Sequence, residues 1–347
     1  MRTRRIPAAV RSANLDGAVG NALDGSNSRS QRVERRIRVG VSACLLGEPV
    51  RFNAGHKRDR FVSDRLARYF ELVPVCPEVA IGLGIPREPI RLVGEPQRPK
   101  AVGTRHESAD VTSPLAEYAR RMARELGDIS GYIFKSKSPS CGMERVKVYG
   151  RDGSLRGSGR GIYAAEIMRA NSLLPVEEEG RLNDPALREN FIERLYAYRR
   201  WQELLEEGVT PEALVAFHTR HKLILMAHGT HRAKGLGRLI AQVGSQPIEP
   251  LTVEYGAGFM NALACRATRS QHTDVLFHVM GYLKRQLDSE DKAELVALIH
   301  DYRQGVVPLI VPVTLLRHHF RRHPEPYIDK QLYLSWQPAG LSLWNHI

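Results

Sequence analysis

Three of the four cysteines share one kind of neighbourhood. Cys44 follows the run Ile37–Ala43 (IRVGVSA). Cys76 follows Leu72–Val75 (LVPV). Cys141 follows Ile129–Phe134 (ISGYIF) after a short polar loop. Short β-branched, apolar runs of this kind predict buried strands. In an open parallel sheet, the loops past the carboxyl ends of the strands converge on one crevice. Three thiols on three such loops can therefore meet, although no Cys-x-x-Cys pair is present. Three thiolates around one point suit a soft metal or an iron–sulfur cluster. A structural zinc would want a fourth protein ligand, whereas a catalytic site keeps a position open. The bland alternative is three buried thiols that act as small hydrophobes.

The flanking residues add chemistry. Pro77 and Glu78 come directly after Cys76. Cys141 lies in Lys135–Gly142 (KSKSPSCG), and Arg51 follows Cys44 in GEPVRFN. Cations stabilise thiolates, and hydroxyls with a carboxylate can move protons. Otherwise Lys135, Lys137 and Arg51 are solvated loop charges. Gly157, Gly159 and Gly161, with Arg156 and Arg160, precede a helical run at Ile162–Ala170. Such a turn could cradle a phosphate at a helix N-terminus; an ordinary connection explains it equally well.

These loops need an α/β frame. Besides the three strands, the pattern predicts helices at 64–70 and 114–126 and a short strand at Val146–Tyr149. Strands alternating with helices argue for an open, mostly parallel sheet with flanking helices. After Leu174 the composition changes. Pro175–Gly180 (PVEEEG) reads as a polar linker, and nearly all of the rest reads as helix: 184–207, 210–243, 251–287 and 289–304. Thr210-Pro211-Glu212 is a good helix start, and Ser289 is expected to cap the last of these helices. The expected organisation is a basic, disordered extension over 1–37, an α/β domain over 38–174, a linker over 175–180, an all-α domain over 181–325 and a tail over 326–347.

The chain has 347 residues, a length that suits two domains. Its hydrophobic fraction of 42% rules out a wholly disordered chain. The formal net charge is +13, but residues 1–38 hold nine arginines and only three acids, so they supply +6 of it. The remainder suits an anionic small molecule as well as a nucleic acid. The extension also resembles an organelle transit peptide; the blander readings are a dispensable tail or a start codon assigned too early. No apolar run is long enough to cross a bilayer. Four cysteines make no disulfide framework, which predicts a reducing compartment such as the cytoplasm.

Three blocks, VGVSACLLGEPVRFN, VPVCPEVAIGLGIPREPIRLV and KSKSPSCG, appear in order. Over about 38–172 the sequence resembles the thiouracil desulfidases, or YbbK-like family. The resemblance implies that Cys44, Cys76 and Cys141 hold a [4Fe-4S] cluster with one iron free. That iron would bind the sulfur of a thiolated pyrimidine or its nucleotide. Water would displace it as sulfide without net redox change. Within that reading, Glu78 is the expected acid/base, and Ser138 and Ser140 position water or substrate. Arg51, Lys137, Gly159, Arg160 and Gly161 are the expected substrate contacts.

Residues 181–325 resemble the YbgA-like helical domain, whose function is not established. The matching stretch runs through FHTRHK (217–222), MAHG (226–229) and Leu236-Gly237. Eleven of the 13 histidines lie beyond residue 180. On one predicted helix, His218, His221 and His228 fall within about 80° of one another, with His231 trailing. A metal site, a polar face toward nucleotide or nucleic acid, and a buried packing face are all open; the packing face is the favoured reading. Cys265 reads as core, and His318–His323 as a solvated basic helix end that could touch phosphates. The leading function is thus an iron–sulfur desulfidase. The alternatives are a nucleic-acid-associated protein with a structural or redox-sensing cluster, and a zinc scaffold without catalysis.

Overall fold

The computed structural model describes residues 36–106, 108–335, 339–341 and 344–345. The Arg-rich extension expected over 1–37 lies outside these residues, except for Arg36 and Ile37.

The apolar run predicted first is strand β1 (Ile37–Ser42). Strand β2 (Phe70–Val75) pairs with it in parallel, register Ile37 to Phe70. Pro74 cannot donate a ladder hydrogen bond, but β2 is an edge strand, where the loss is tolerated. A four-residue helix α1 (Pro77–Ala80) follows Cys76 directly. A hairpin of β3 (Ile90–Glu95) and β4 (Arg98–Gly103) comes next. Then come α2 (Thr112–Glu125), β5 (Tyr132–Phe134), β6 (Val146–Tyr149), β7 (Leu155–Gly159), α3 (Ile162–Ala170) and β8 (Val176–Glu178).

Two four-stranded sheets result. The first has the order β2-β1-β5-β8 and is wholly parallel. The second, β4-β3-β6-β7, is mixed and was not foreseen. The α/β expectation holds, because the strands preceding all three cysteines belong to the first sheet. Several boundaries differ. Residues 61–65 and 66–68 form a π turn and a 3-10 turn instead of a helix over 64–70, because Phe70 already joins the sheet. The glycines at 157 and 159 lie in β7 and not in a loop.

The stretch 175–180 is no linker. It supplies β8, whose Val176, Glu177 and Glu178 pair with Tyr132, Ile133 and Phe134. Glu177 and Glu178 are buried.

The second half is helical: α4 (Pro185–Glu207), α5 (Pro211–His228), α6 (Thr230–Ile240), α7 (Ile248–Ala264), α8 (Arg269–Met280), α9 (Ser289–Gln304), α10 (Ile310–Arg322) and the short α11 (Pro326–Asp329). Thr210 caps α5 as expected, by accepting from the Ala213 N–H. Asp288, not Ser289, caps α9. Gly229, at φ +140°, breaks the predicted 210–243 helix in two. The predicted 251–287 helix ends at Ala264 and resumes at Arg269. The tail expected over 326–347 packs inward, with Tyr333, Leu334, Leu341 and Trp344 buried. Among the described residues no helix is long and apolar enough to cross a membrane.

Candidate functional site

The order of the first sheet decides the site. β2, β1 and β5 are neighbours, so the loops leaving their carboxyl ends lie side by side. Cys44, Cys76 and Cys141 line one cavity of about 370 Å³, together with Arg51, Glu78, Arg87, Lys135, Lys137 and Ser138. All three thiols are free; Cys44 and Cys141 are buried and Cys76 is half-buried. Burial pushes the Cys44 thiol up to about 11, with Lys135 opposing. Burial also raises Cys76, and lifts Cys141 well above the usual thiol range. Among the described residues, no three His, Cys, Asp or Glu side chains close tightly enough on one point to hold a single metal ion.

Around the thiols stands a hydrogen-bonded frame. Glu78, at the start of α1, accepts from the buried Ser140 hydroxyl (2.7 Å) through Oε1. Its Oε2 accepts from Arg87 Nη2 (2.7 Å) and Nε (3.0 Å). The Arg87 side chain is 5% exposed, so this is a sheltered, two-pronged ion pair. Arg87 also donates to the Val50 carbonyl (2.9 Å), which ties the Cys76 side of the cavity to the Cys44 loop. Ser138 Oγ accepts from the Cys141 N–H (3.1 Å) and sets the turn carrying that thiol. Lys135 is paired with Glu179, whose carboxylate also accepts from the Ser136 N–H (2.8 Å). Glu178 accepts from the Met143 N–H (2.8 Å), just past Cys141. The segment read as a linker therefore clamps the Cys141 loop from below.

Gly161 serves that loop too. A Cβ there would stand 2.5 Å from the Ser140 carbonyl carbon and oxygen, so only glycine lets α3 approach. The first N–H groups of α3 are already used: Ile162 donates to the Pro139 carbonyl (3.1 Å) and Ala164 to that of Ser140 (3.1 Å). The protein's own loop therefore occupies these two donors at the helix start, where the phosphate cradle was expected. Gly159 and Arg160 line a different cavity, of about 1240 Å³, which shares no lining residue with the cysteine cavity.

Sequence reasoning thus found the cysteines, Glu78, Ser138, Ser140, Arg51 and Lys137 where the structure gathers them. It missed Arg87, Glu178 and Glu179. No local spacing in the sequence marked these three as partners of the cysteine loops.

Of the four histidines predicted on one helix, His218, His221 and His228 are buried packing groups, whereas His231 is exposed. Gly229 separates His231 from the other three. His218 meets the Tyr255 hydroxyl (3.1 Å), and His228 meets Glu193 (2.7 Å) and the Cys265 carbonyl. His221 Nδ1 meets the Phe217 carbonyl (2.8 Å), and its ring packs on Phe217 and Phe259. Cys265, expected in the core, is only half-buried at the end of α7. In the basic run at the end of α10, His319 and Phe320 face the core rather than water.

Comparison with known proteins agrees with both halves. Residues 39–179 match the family model of 2-thiouracil desulfurase, and residues 222–338 match a protein of unknown function, DUF1722. Over 154 residues the chain is 31% identical to the uncharacterized protein YbbK of Bacillus subtilis (strain 168), covering 42% of this chain and 97% of that protein. Over 151 residues it is 31% identical to the uncharacterized protein YbgA of Escherichia coli (strain K12), covering 43% of this chain and 89% of that protein. The chain belongs to the 2-thiouracil desulfurase family, fused to a YbgA-like domain. A solved structure of the [4Fe-4S]-dependent thiouracil desulfidase TudS is 33% identical; the match covers 45% of this chain and 97% of that one, with a TM-score of 0.35. The desulfurase match spans all three cavity cysteines and the Glu177–Glu179 clamp.

Proposed function

We propose that this protein is an iron–sulfur desulfidase that removes sulfur hydrolytically from a small thiolated pyrimidine or its nucleotide. The observation that carries this reading is the convergence of three free thiols, from three adjacent parallel strands, on one cavity that also holds Glu78. The donor set fits such a cluster: the ligands are soft, each comes from a separate loop, and each can bond a different iron. Cys44, Cys76 and Cys141 would hold it. When bound, it supplies a Lewis-acidic iron with an open position for the thiocarbonyl sulfur.

The chain's own groups do the rest. Glu78 is aimed by Arg87 and Ser140, and takes a proton from the water that attacks the ring carbon. The C–S bond breaks once the new C–O bond has formed, and both protons of the water, one by way of Glu78 and one from the new hydroxyl, leave with the sulfur as hydrogen sulfide. No electron is gained or lost overall. Ser138 fixes the Cys141 turn. Arg51 and Lys137, which have no carboxylate partner among the described residues, face the cavity and steady the negative charge that builds on the ring as water attacks.

Anaerobic purification, iron and sulfide analysis and a sulfide-release assay test the reading. About four irons and four sulfides per chain, lost in Cys141→Ala, with sulfide released from 4-thiouracil or 4-thiouridine monophosphate, is the expected result. Zinc, or no metal, would sink it. A second reading places the thiolated ring within an RNA, which the net charge of +13 suits as well as it suits a small anion. Sulfide release from a thiolated RNA alone would select it.

A further inference from the structure

The cavity that holds Gly159 and Arg160 has no part in the chemistry above. It lies where β4, β7 and α3 meet β8 and α4, and it is lined by Arg98, Arg145, Arg160, Arg169 and Arg194 against Glu144 and Glu166. Both glutamates are already engaged. Glu144 pairs with Arg181 (3.2 Å) and Arg145 (3.5 Å), and Glu166 with Arg169 (2.5 Å) and Arg120 (3.6 Å). Among the described residues, Arg98, Arg160 and Arg194 form no hydrogen bond and no ion pair through their side chains.

Arg194 is the telling one. It projects from α4 between the buried Glu193 and Leu195, and its Nε is sealed from solvent without a partner. Burial pulls its pKa below the usual arginine value, with Glu177 opposing. Glu177 favours its charge from nearby but forms no hydrogen bond or ion pair with it; the Glu177 Oε1 accepts from Arg181 (2.6 Å) and the Glu178 N–H (3.0 Å). A sheltered guanidinium without an anion in direct contact is costly. Arg160 and Arg98 are exposed, so the charge runs from a sheltered wall out to the rim.

We propose that this cavity is an anion site that takes the terminal phosphate of a small phosphomonoester, held between Arg194 inside and Arg160 and Arg98 at the rim. Guanidinium groups match phosphate oxygens in charge and in fork geometry. A terminal phosphate can enter to reach Arg194, whereas a chain-internal diester would have to thread the cavity.

The test is equilibrium binding to the full chain at low salt, with orthophosphate and ribose 5-phosphate as probes and ribose as control. Both phosphates bind saturably, ribose does not, and Arg194→Gln weakens both by roughly ten- to a hundredfold, as loss of a charged hydrogen bond implies. Arg160→Gln weakens them less. Circular dichroism checks that each variant is folded; if Arg194→Gln is not, the exposed Arg160→Gln supplies the comparison. No saturable binding to the wild type, or unchanged affinity in the folded variants, overturns the proposal. So does an oligonucleotide without a terminal phosphate that competes and is lost in the same variants. Binding needs no turnover, so failure here leaves the desulfidase reading standing, and the reverse also holds.

Discussion

Glu78 is pinned at both oxygens, by Ser140 on one and Arg87 on the other. A carboxylate held that firmly suits proton transfer at a fixed place. Glu78→Gln keeps the shape and removes the base, so turnover should fall about 10²- to 10⁴-fold with iron content unchanged. Rate and iron are to be measured on the same sample. Full turnover would remove Glu78 from the chemistry; loss of iron would make it a support for the Cys76 loop. At this scale much was legible in the sequence. Glu78 and the serines stand within a few positions of a cysteine, so proximity along the chain predicted proximity in space. Arg87 reaches Glu78 across a turn, and Glu178 and Glu179 reach the Cys141 loop from a later strand. Such pairings are set by tertiary packing, which local spacing does not encode.

Elements were read well where one residue marks the end. Asp184 and Thr210 cap α4 and α5 as their types predict. The 210–243 span was misread because its apolar period continues past Gly229, where only the backbone turns. On α5, His221 is fully enclosed by Phe217 and Phe259, and its pKa is pushed down to about 3, first by burial and then by Arg200. The unfolded chain takes up this proton near the ordinary histidine value; the folded chain does not until far lower pH. Stability therefore falls as pH drops below about 6.5, by up to about 1.4 kcal/mol per pH unit from this residue. Glu189, pushed up to about 8 by burial and by Glu193, acts in the opposite sense over pH 8 to 4.5. The contribution of His221 must be isolated by comparison. Melting temperatures from pH 7.5 to 5 should drop more steeply for the wild type than for His221→Phe, which keeps the aromatic packing. Parallel slopes would show that His221 protonates freely in the fold.

At the scale of the molecule, two cores were expected on either side of a linker. The linker became β8, and one hydrophobic cluster runs from Val39 and Tyr132 through Leu195 and Trp201 to Leu316. The sequence hid this because α4 looks like the first helix of a separate bundle, while its buried residues serve both halves: Trp201 packs on Phe217 and Phe259, and other positions reach the sheet. Gln202 on α4 accepts from the Ser130 hydroxyl (2.7 Å) and donates to the Ile129 carbonyl (3.1 Å), and Tyr198 accepts from Asn171 (2.8 Å). Leu195 packs directly on Gly131, at the mouth of β5. Since β5 also leads into the Cys141 loop, cluster retention and helical packing should share one unfolding transition. Leu195→Ala, which opens a cavity at this seam, should cost about 2–5 kcal/mol. Melting followed by helical circular dichroism and by cluster absorbance should move down together, by the same number of degrees. If cluster loss moved alone while the helices melted unchanged, the two halves would be separate folding units, and α4 would belong to the helical half alone.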